Sequence, residues 1–388
     1  MCIRQKPTLH KIDKMLILRG IIVLVLTIPL WFPQTSGLKV IAFERKTVRL
    51  ENPLYLCWKY KTSGDYKIAS DNDENIYLID LQNVLTGINT QNGLKNWETS
   101  VGGQFVTEPL IYKENIIQII QVVSKDSSYI IRSTNKLTGI TNWQVKIPQT
   151  DLQGKIFSRI FGDNFVIVST GGNLISINNS DGIIKQKKNI YVDSIISPFF
   201  DASKFYTVTQ NNKVTSVSLS DFAENYELKV ASLPTLIIVS GSLLVWGDKR
   251  GVVNASSLSS IGKKVKWRSR KGGEILSITK TSEGILASSS DNYIYLMSEK
   301  SGDLIWKRRL ASRVAFDPVL SENYVLVSTS GEPETLIFDL KSGRMLNQIT
   351  LSEGNLFSAA PKIFEKVIVF QTSEGLEAYS NDRCSEAK

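Results

Sequence analysis

NTQNGLKNW (Asn89–Trp97), NKLTGITNW (Asn135–Trp143) and SEKSGDLIW (Ser298–Trp306) are three copies of one pattern, and the glycine stands four residues before the tryptophan in each: Gly93, Gly139 and Gly302. A looser copy, SSIGKKVKW, puts Gly262 five residues before Trp267. Two more keep the glycine and lose the tryptophan: NNSDGIIKQ has Gly182 and Gln186, and DLKSGRMLN has Gly343 and Asn347. The chemistry of the spacing is that of a tight turn feeding a strand. Glycine takes the positive φ, the Asx or Ser side chain caps the backbone, and the fourth residue of the following strand meets a neighbouring sheet. A large flat indole at that point fills the space between two sheets while its N–H finds an acceptor, so these tryptophans read as packing residues and not as a ligand platform.

Around these turns the chain alternates short β-rich runs with Gly, Asn, Asp and Ser, and no helical period is sustained. Short strands at regular spacing, repeated with a period near forty residues, point to a β-propeller. Three strand-like runs precede each turn and its strand, which gives four antiparallel strands per blade. Blade 1 spans 66–101, blade 2 105–147, blade 3 156–191, blade 4 195–230, blade 5 236–270, blade 6 274–310 and blade 7 314–350. Blade 4 is degenerate, because its turn, SLSDFAENYE, has no glycine. Only three strands fit after Leu351: LFSAAPKIF, VIVFQTSEG and LEAYSN. The fourth is found at the other end, where PLYLCWKYKT puts Trp58 thirty-nine residues before Trp97, one repeat length. An N-terminal strand that completes the C-terminal blade closes the ring and removes an open sheet edge. The expected fold is all-β, an eight-bladed propeller over 50–380, with seven blades if blade 4 is not a true repeat.

The first thirty-seven residues read as a targeting segment. Arg4, Lys6, Lys11, Lys14 and Arg19 precede an apolar run of thirteen residues, Gly20–Phe32, and small or polar residues follow to Gly37. A cleaved signal fits this anatomy, since a membrane span needs about twenty residues; an uncleaved anchor is the alternative. Residues 38–49 read as a linker and 381–388 as a tail. Either way the body is exported and lies in the periplasm or cell envelope, membrane-associated. The segment carries five basic residues and one acidic, so of the formal charge of +9 only +5 remains on the body. Nucleic acid is therefore not an expected partner.

Residue types also bound the chemistry. The one histidine, His10, lies in the targeting segment. A histidine base, a Ser-His-Asp triad and a His-ligated metal are excluded from the body. No phosphate loop or nucleophile elbow occurs, and acidic residues are scattered among turns, as in Asp71–Glu74. No catalytic, cofactor or metal site is expected. Of the three cysteines, Cys57 and Cys384 fall close together when the composite blade is aligned on blade 1. They form a disulfide across the closure or stay as two free thiols; the sequence leaves both open.

One charge feature stands out. From Lys249 to Lys271 there are eight basic residues and no acidic one: Lys249, Arg250, Lys263, Lys264, Lys266, Arg268, Arg270 and Lys271. Lys307, Arg308 and Arg309 repeat the theme directly after Trp306. One reading is protection of outer strand edges. The other is a docking patch for an acidic protein surface or anionic lipid headgroups.

The glycine–tryptophan pattern resembles the PQQ-like repeat of quinoprotein-type propellers, with Asn or Ser replacing its Asp. Size, an export segment and a single whole-chain propeller are most similar to the BamB family, scaffold subunits of the outer-membrane β-barrel assembly machinery. The closing stretch LFSAAPKIFEKVIVFQTSEGLEAYSN is similar too. The resemblance implies a non-enzymatic, monomeric scaffold whose partners are a BamA-type assembly subunit and β-barrel precursors, with an anionic membrane surface as a further contact. It also brings alternatives: a PQQ-dependent dehydrogenase-like enzyme, or a signal-anchored ligand-binding sensor. Two departures matter. BamB proteins usually carry a lipidated cysteine just after the signal, and none lies near residues 30–40 here; nor is there the vicinal cysteine pair of quinoprotein dehydrogenases.

Overall fold

The computed structural model describes residues 48–382 apart from 63, 72–74, 124–126, 191–195, 210–211, 231 and 259–264. The targeting segment, Gly262, Lys263, Lys264 and Cys384 lie outside the described residues.

Eight antiparallel sheets follow one another along the chain. Blade 1 is built from Tyr66–Ser70, Asn75–Asp80, Val84–Asn89 and Lys95–Ser100. Blade 5 is Pro234–Ser240, Leu243–Asp248, Val252–Ser257 and Trp267–Arg270, and blade 6 is Ile275–Lys280, Ile285–Ser289, Tyr293–Met297 and Leu304–Arg309. Blades 3, 4 and 7 repeat this order. The only helical element among the described residues is a single 3-10 turn, Gln149–Asp151.

Burial follows from the layering. The middle strands of the blades are covered on both faces and are buried almost continuously, as in Asn164–Ser169 and Leu243–Asp248. The outermost strands alternate, as in Thr141–Pro148, because only one of their faces meets another blade. The core therefore lies between blades: Ile117, Ile131 and Ile147 of blade 2 pack with Phe165, Ile167 and Ile177 of blade 3.

Each tryptophan locks its blade to the next. A Cβ built on Gly139 would fall 2.6 Å from Trp97, on Gly182 2.6 Å from Trp143, and on Gly343 2.6 Å from Trp306. The indole lies flat on the next blade's turn, so that turn needs glycine for contact as well as for its positive φ. The indole N–H then donates to the carbonyl three residues before that glycine. Trp58 reaches Thr90 O at 3.0 Å, Trp97 reaches Lys136 O and Trp143 reaches Asn179 O, both at 2.9 Å. Trp267 reaches Glu299 O and Trp306 reaches Leu340 O, again at 2.9 Å. Where the tryptophan is missing, a side-chain amide reaches the next blade's turn at a different carbonyl: Gln186 Nε2 donates to Asp221 O at 2.9 Å, one residue before the turn position.

Blade 4, the degenerate repeat, is a complete four-stranded sheet: Phe199–Phe200, Lys204–Val208, Lys213–Ser218 and Glu224–Lys229. Its turn is the same turn without glycine. Phe222 adopts φ +55 and its N–H bonds to Ser218 O, as Gly182 bonds to Asn178 O. The Phe222 ring is fully buried against Val166, Phe205 and Val217. Blade 2 departs in the other direction. Its inner strand is split into Gln104–Phe105 and Leu110–Tyr112, both pairing with Asn115–Val122. Pro109 lies in the gap, where a residue without an N–H interrupts the ladder.

The ring closes as the repeat length requires. Tyr55–Lys61 pairs antiparallel with Gly375–Ser380, beyond which lie Ile368–Thr372 and Lys362–Ile363. The missing covalent turn of this blade is replaced by side chains. Asn381 Nδ2 donates to Arg49 O at 2.9 Å and Pro53 O at 3.1 Å, while its Oδ1 accepts Arg49 N at 2.6 Å. Asn347, at the tryptophan position of blade 7, donates to Leu50 O and Asn52 O. At the same seam Val48 N bonds to Glu365 O, Leu50 is buried, and Asn381 clamps the two ends. Cys57 is disulfide-bonded, and its Sγ lies 3.9 Å from the carbonyl oxygen of Asp382, two residues ahead of Cys384.

Candidate functional site

The basic residues of blades 5 and 6 sit on the outer rim, but the structure divides them. In the outermost strand of blade 5, Trp267 is buried toward blade 6, where it meets Glu299 O and Gly302. Period-two alternation turns Arg268 and Arg270 to the opposite face. There they stand across from Asn254 and Val252. With Arg250, Asp248 and Ser232 they line a cleft of about 240 Å³.

In the outermost strand of blade 6, Trp306 and Arg308 point toward blade 7, and Lys307 and Arg309 point back, beside Tyr295 and Tyr293. Lys307 Nζ lies 5.3 Å from the centre of the Tyr293 ring, and Lys271 Nζ lies 4.9 Å from that of Tyr295. Burial pushes the Lys271 ammonium below its usual range; Asp291 opposes this and Lys307 adds to it. Arg308 is committed elsewhere. Its guanidinium donates to Gly343 O at 2.5 Å, Ser342 O at 2.8 Å and Lys307 O at 2.8 Å, so it ties blade 6 to the turn of blade 7.

The outermost strand of blade 5 thus divides the basic residues: Arg268 and Arg270 line the cleft, Lys271, Lys307 and Arg309 stand by Tyr293 and Tyr295, and Arg308 belongs to neither set. Lys266, exposed just ahead of the blade 5 strand, faces Glu299 electrostatically. That carboxyl is raised by burial but held low by Lys280 and Ser240, with Lys266 assisting. A separate concavity of about 650 Å³ lies over the first strands of blades 4 to 6. Its floor is Phe199, Leu236–Val239 and Leu276–Thr279, with Lys155, Lys280 and Asp317 at its margin.

Sequence reasoning missed Asn347, Asn381 and Phe222, whose roles depend on the ring. The repeat register was a usable signal for Asn347 and Phe222, since each occupies a motif position. Among the described residues no group of three or more His, Cys, Asp and Glu is placed to hold a metal. No helix among them is long and apolar enough to cross a membrane.

The family model described as outer membrane protein assembly factor BamB matches residues 47–268 and 257–382, which together span the propeller. The chain belongs to the BamB family. Its fold is similar to BamB from Moraxella catarrhalis, at 13% identity and a TM-score of 0.63, over 84% of this chain and 100% of that one. It is also similar to the computationally designed Ika8 protein (10%, TM-score 0.65, 84% and 98% covered). A quinohemoprotein alcohol dehydrogenase from Comamonas testosteroni shares the architecture as well (9%, TM-score 0.60, 86% and 78%). At such identities these likenesses show the fold alone. No curated protein matches the chain in sequence.

Proposed function

We propose that this BamB-family propeller is a non-enzymatic scaffold of the cell envelope that docks on the outer-membrane β-barrel assembly machinery and helps barrel proteins insert. Family membership across the whole propeller carries the reading. The residue inventory supports it: no histidine occurs between 48 and 382, and the basic rim of blades 5 and 6 is built to steer an acidic surface toward the propeller. The first strand of a blade, such as Pro234–Ser240, is hydrogen-bonded on one edge only, to Leu243–Asp248. A β-rich client can be engaged along such an edge.

Crosslinking in native envelopes, followed by affinity purification and mass spectrometry, tests the scaffold. Recovery of a BamA-type subunit is expected, and envelopes that yield no barrel-assembly component would overturn the reading. Reversal of Lys266, Arg268 and Arg270 to Glu should lower that recovery; unchanged recovery would remove the rim from the docking surface. Added quinone with calcium should give no dye reduction, and turnover would favour the enzyme alternative instead.

A further inference from the structure

We propose that the cleft formed by Arg250, Arg268 and Arg270 is a binding site for one tetrahedral oxyanion of the phosphate class. This goes beyond the scaffold reading and needs no protein partner.

Placement comes first. Arg268 and Arg270 are two residues apart on one strand and project from the same face, opposite Asn254 and Val252. Arg250 comes from the turn between the second and third strands of the same blade, and Ser232 from the connection entering it. Three arginines of a single blade therefore line one cleft of about 240 Å³, with the Arg250 side chain 71% exposed on its turn.

Charge comes second. The one carboxylate in the cleft wall is Asp248, whose side chain is only 3% exposed. Its Oδ1 accepts the backbone N–H groups of Arg250 at 2.9 Å and Val252 at 3.0 Å. Its Oδ2 lies 3.7 Å from Arg250 Nη2. Asp248 therefore braces the turn and lies beside Arg250, and it forms no ion pair with Arg268 or Arg270. Neither Arg268 nor Arg270 forms an ion pair among the described residues. Like charges lining one cleft repel one another, and an anion in the cleft relieves that.

Donor geometry selects the class. A guanidinium presents parallel N–H groups in a rigid fork that suits carboxylate and phosphate alike. A carboxylate has two oxygens and is satisfied by one or two forks. The forks of Arg268 and Arg270, the N–H groups of Arg250 not turned to Asp248 and the Ser232 hydroxyl match an oxyanion with three or four acceptor oxygens. The corresponding positions of blade 6 lack this arrangement: Lys307 replaces a fork with a point charge, and the facing residues are Tyr295 and Tyr293.

The test uses purified full-length protein in phosphate-free buffer at low ionic strength, titrated calorimetrically with inorganic phosphate and, separately, with succinate. Saturable one-to-one phosphate binding, tighter than succinate, is expected. R268Q/R270Q should weaken it by at least about tenfold, given the strength of hydrogen bonds to charged groups. K307Q/R309Q should leave it within about twofold, as an interaction on the far side of the strand. R268K/R270K keeps the charge and loses the forks, and it should also bind more weakly. Thermal melts matched to the parent protein show that each variant is folded. Absent phosphate binding, equal binding of succinate, or a full-strength R268K/R270K variant would each overturn the proposal. A second arm uses phosphatidylcholine vesicles with and without phosphatidylglycerol. Binding to the latter that free phosphate displaces identifies a lipid headgroup as the source. No vesicle binding, with phosphate binding intact, identifies a soluble anion.

Discussion

Phe222 shows how one residue can break a local rule for a gain elsewhere. At φ +55 it occupies the left-handed region that its counterparts fill with glycine, a strain of about 1–2 kcal/mol for a residue with a side chain. Its ring is fully buried, and deletion of a buried phenylalanine costs about 3–5 kcal/mol. The ring wins. Phe222→Gly should therefore destabilise the protein, but Phe222→Ala should do so by about 1 kcal/mol more, because alanine loses the ring and keeps the strain. Urea denaturation of the two variants checks the order, and equal stabilities would show that the strain is not real. The turn glycines carry the opposite expectation. At Gly343, φ is +66 and an added Cβ would sit 2.6 Å from Trp306. Gly343→Ala should cost about 2 kcal/mol or more, through strain and overpacking together.

At the scale of the blade, closure gathers polar interactions at the seam between the two termini. Glu377, 1% exposed in the strand that receives the N-terminal strand, accepts from Asn355 Nδ2 at 2.8 Å and Tyr379 OH at 2.8 Å. It also pairs with Lys59 Nζ across the seam at 3.0 Å. Burial raises this carboxyl, but the bonds from Ser352, Tyr379, Lys59 and Asn355 outweigh it and hold the group below its usual value. A depressed folded pKa means the unfolded chain binds the proton more tightly. The stabilisation is therefore complete above the unfolded value of about 4.3 and is lost as pH falls through the folded one. Glu377→Gln should cost about 1–3 kcal/mol at pH 7. Melts repeated at decreasing pH should show that difference shrinking below pH ~4, and a constant difference would assign the cost to packing instead. The proposed Cys57–Cys384 bridge acts on the same seam. With Cys2 replaced by Ser, exported protein should bind no thiol reagent before reduction; labelling of Cys57 or Cys384 at that stage would exclude the bridge.

For the whole ring, the N-terminal strand is the element on which closure depends. Its removal would bare the Gly375–Ser380 edge and take Trp58 off the Gly93 turn. A chain lacking residues up to Lys61 should melt at lower temperature and associate with rising concentration in size-exclusion chromatography, as unpaired strand edges do. A monomer with unchanged melting would mean that the other seven blades are self-sufficient.

The repeat was legible because it is local: glycine must start the turn, and an indole must stand four residues on to reach the next blade. That spacing alone determined an all-β ring, its blades and the sharing of the last one between the termini. It also located the basic run of 249–271. It could not say which cations share a groove, because alternation along a strand sorts side chains into two sets without saying what faces each set. Only the packed ring decided that Arg268 and Arg270 join Arg250, that Lys307 and Arg309 stand beside Tyr295 and Tyr293, and that Arg308 is occupied by Ser342 and Gly343. Phe222, Asn347 and Asn381 belong to the same class. Their partners lie in another blade or at the other end of the chain, and those contacts exist only once the ring is closed.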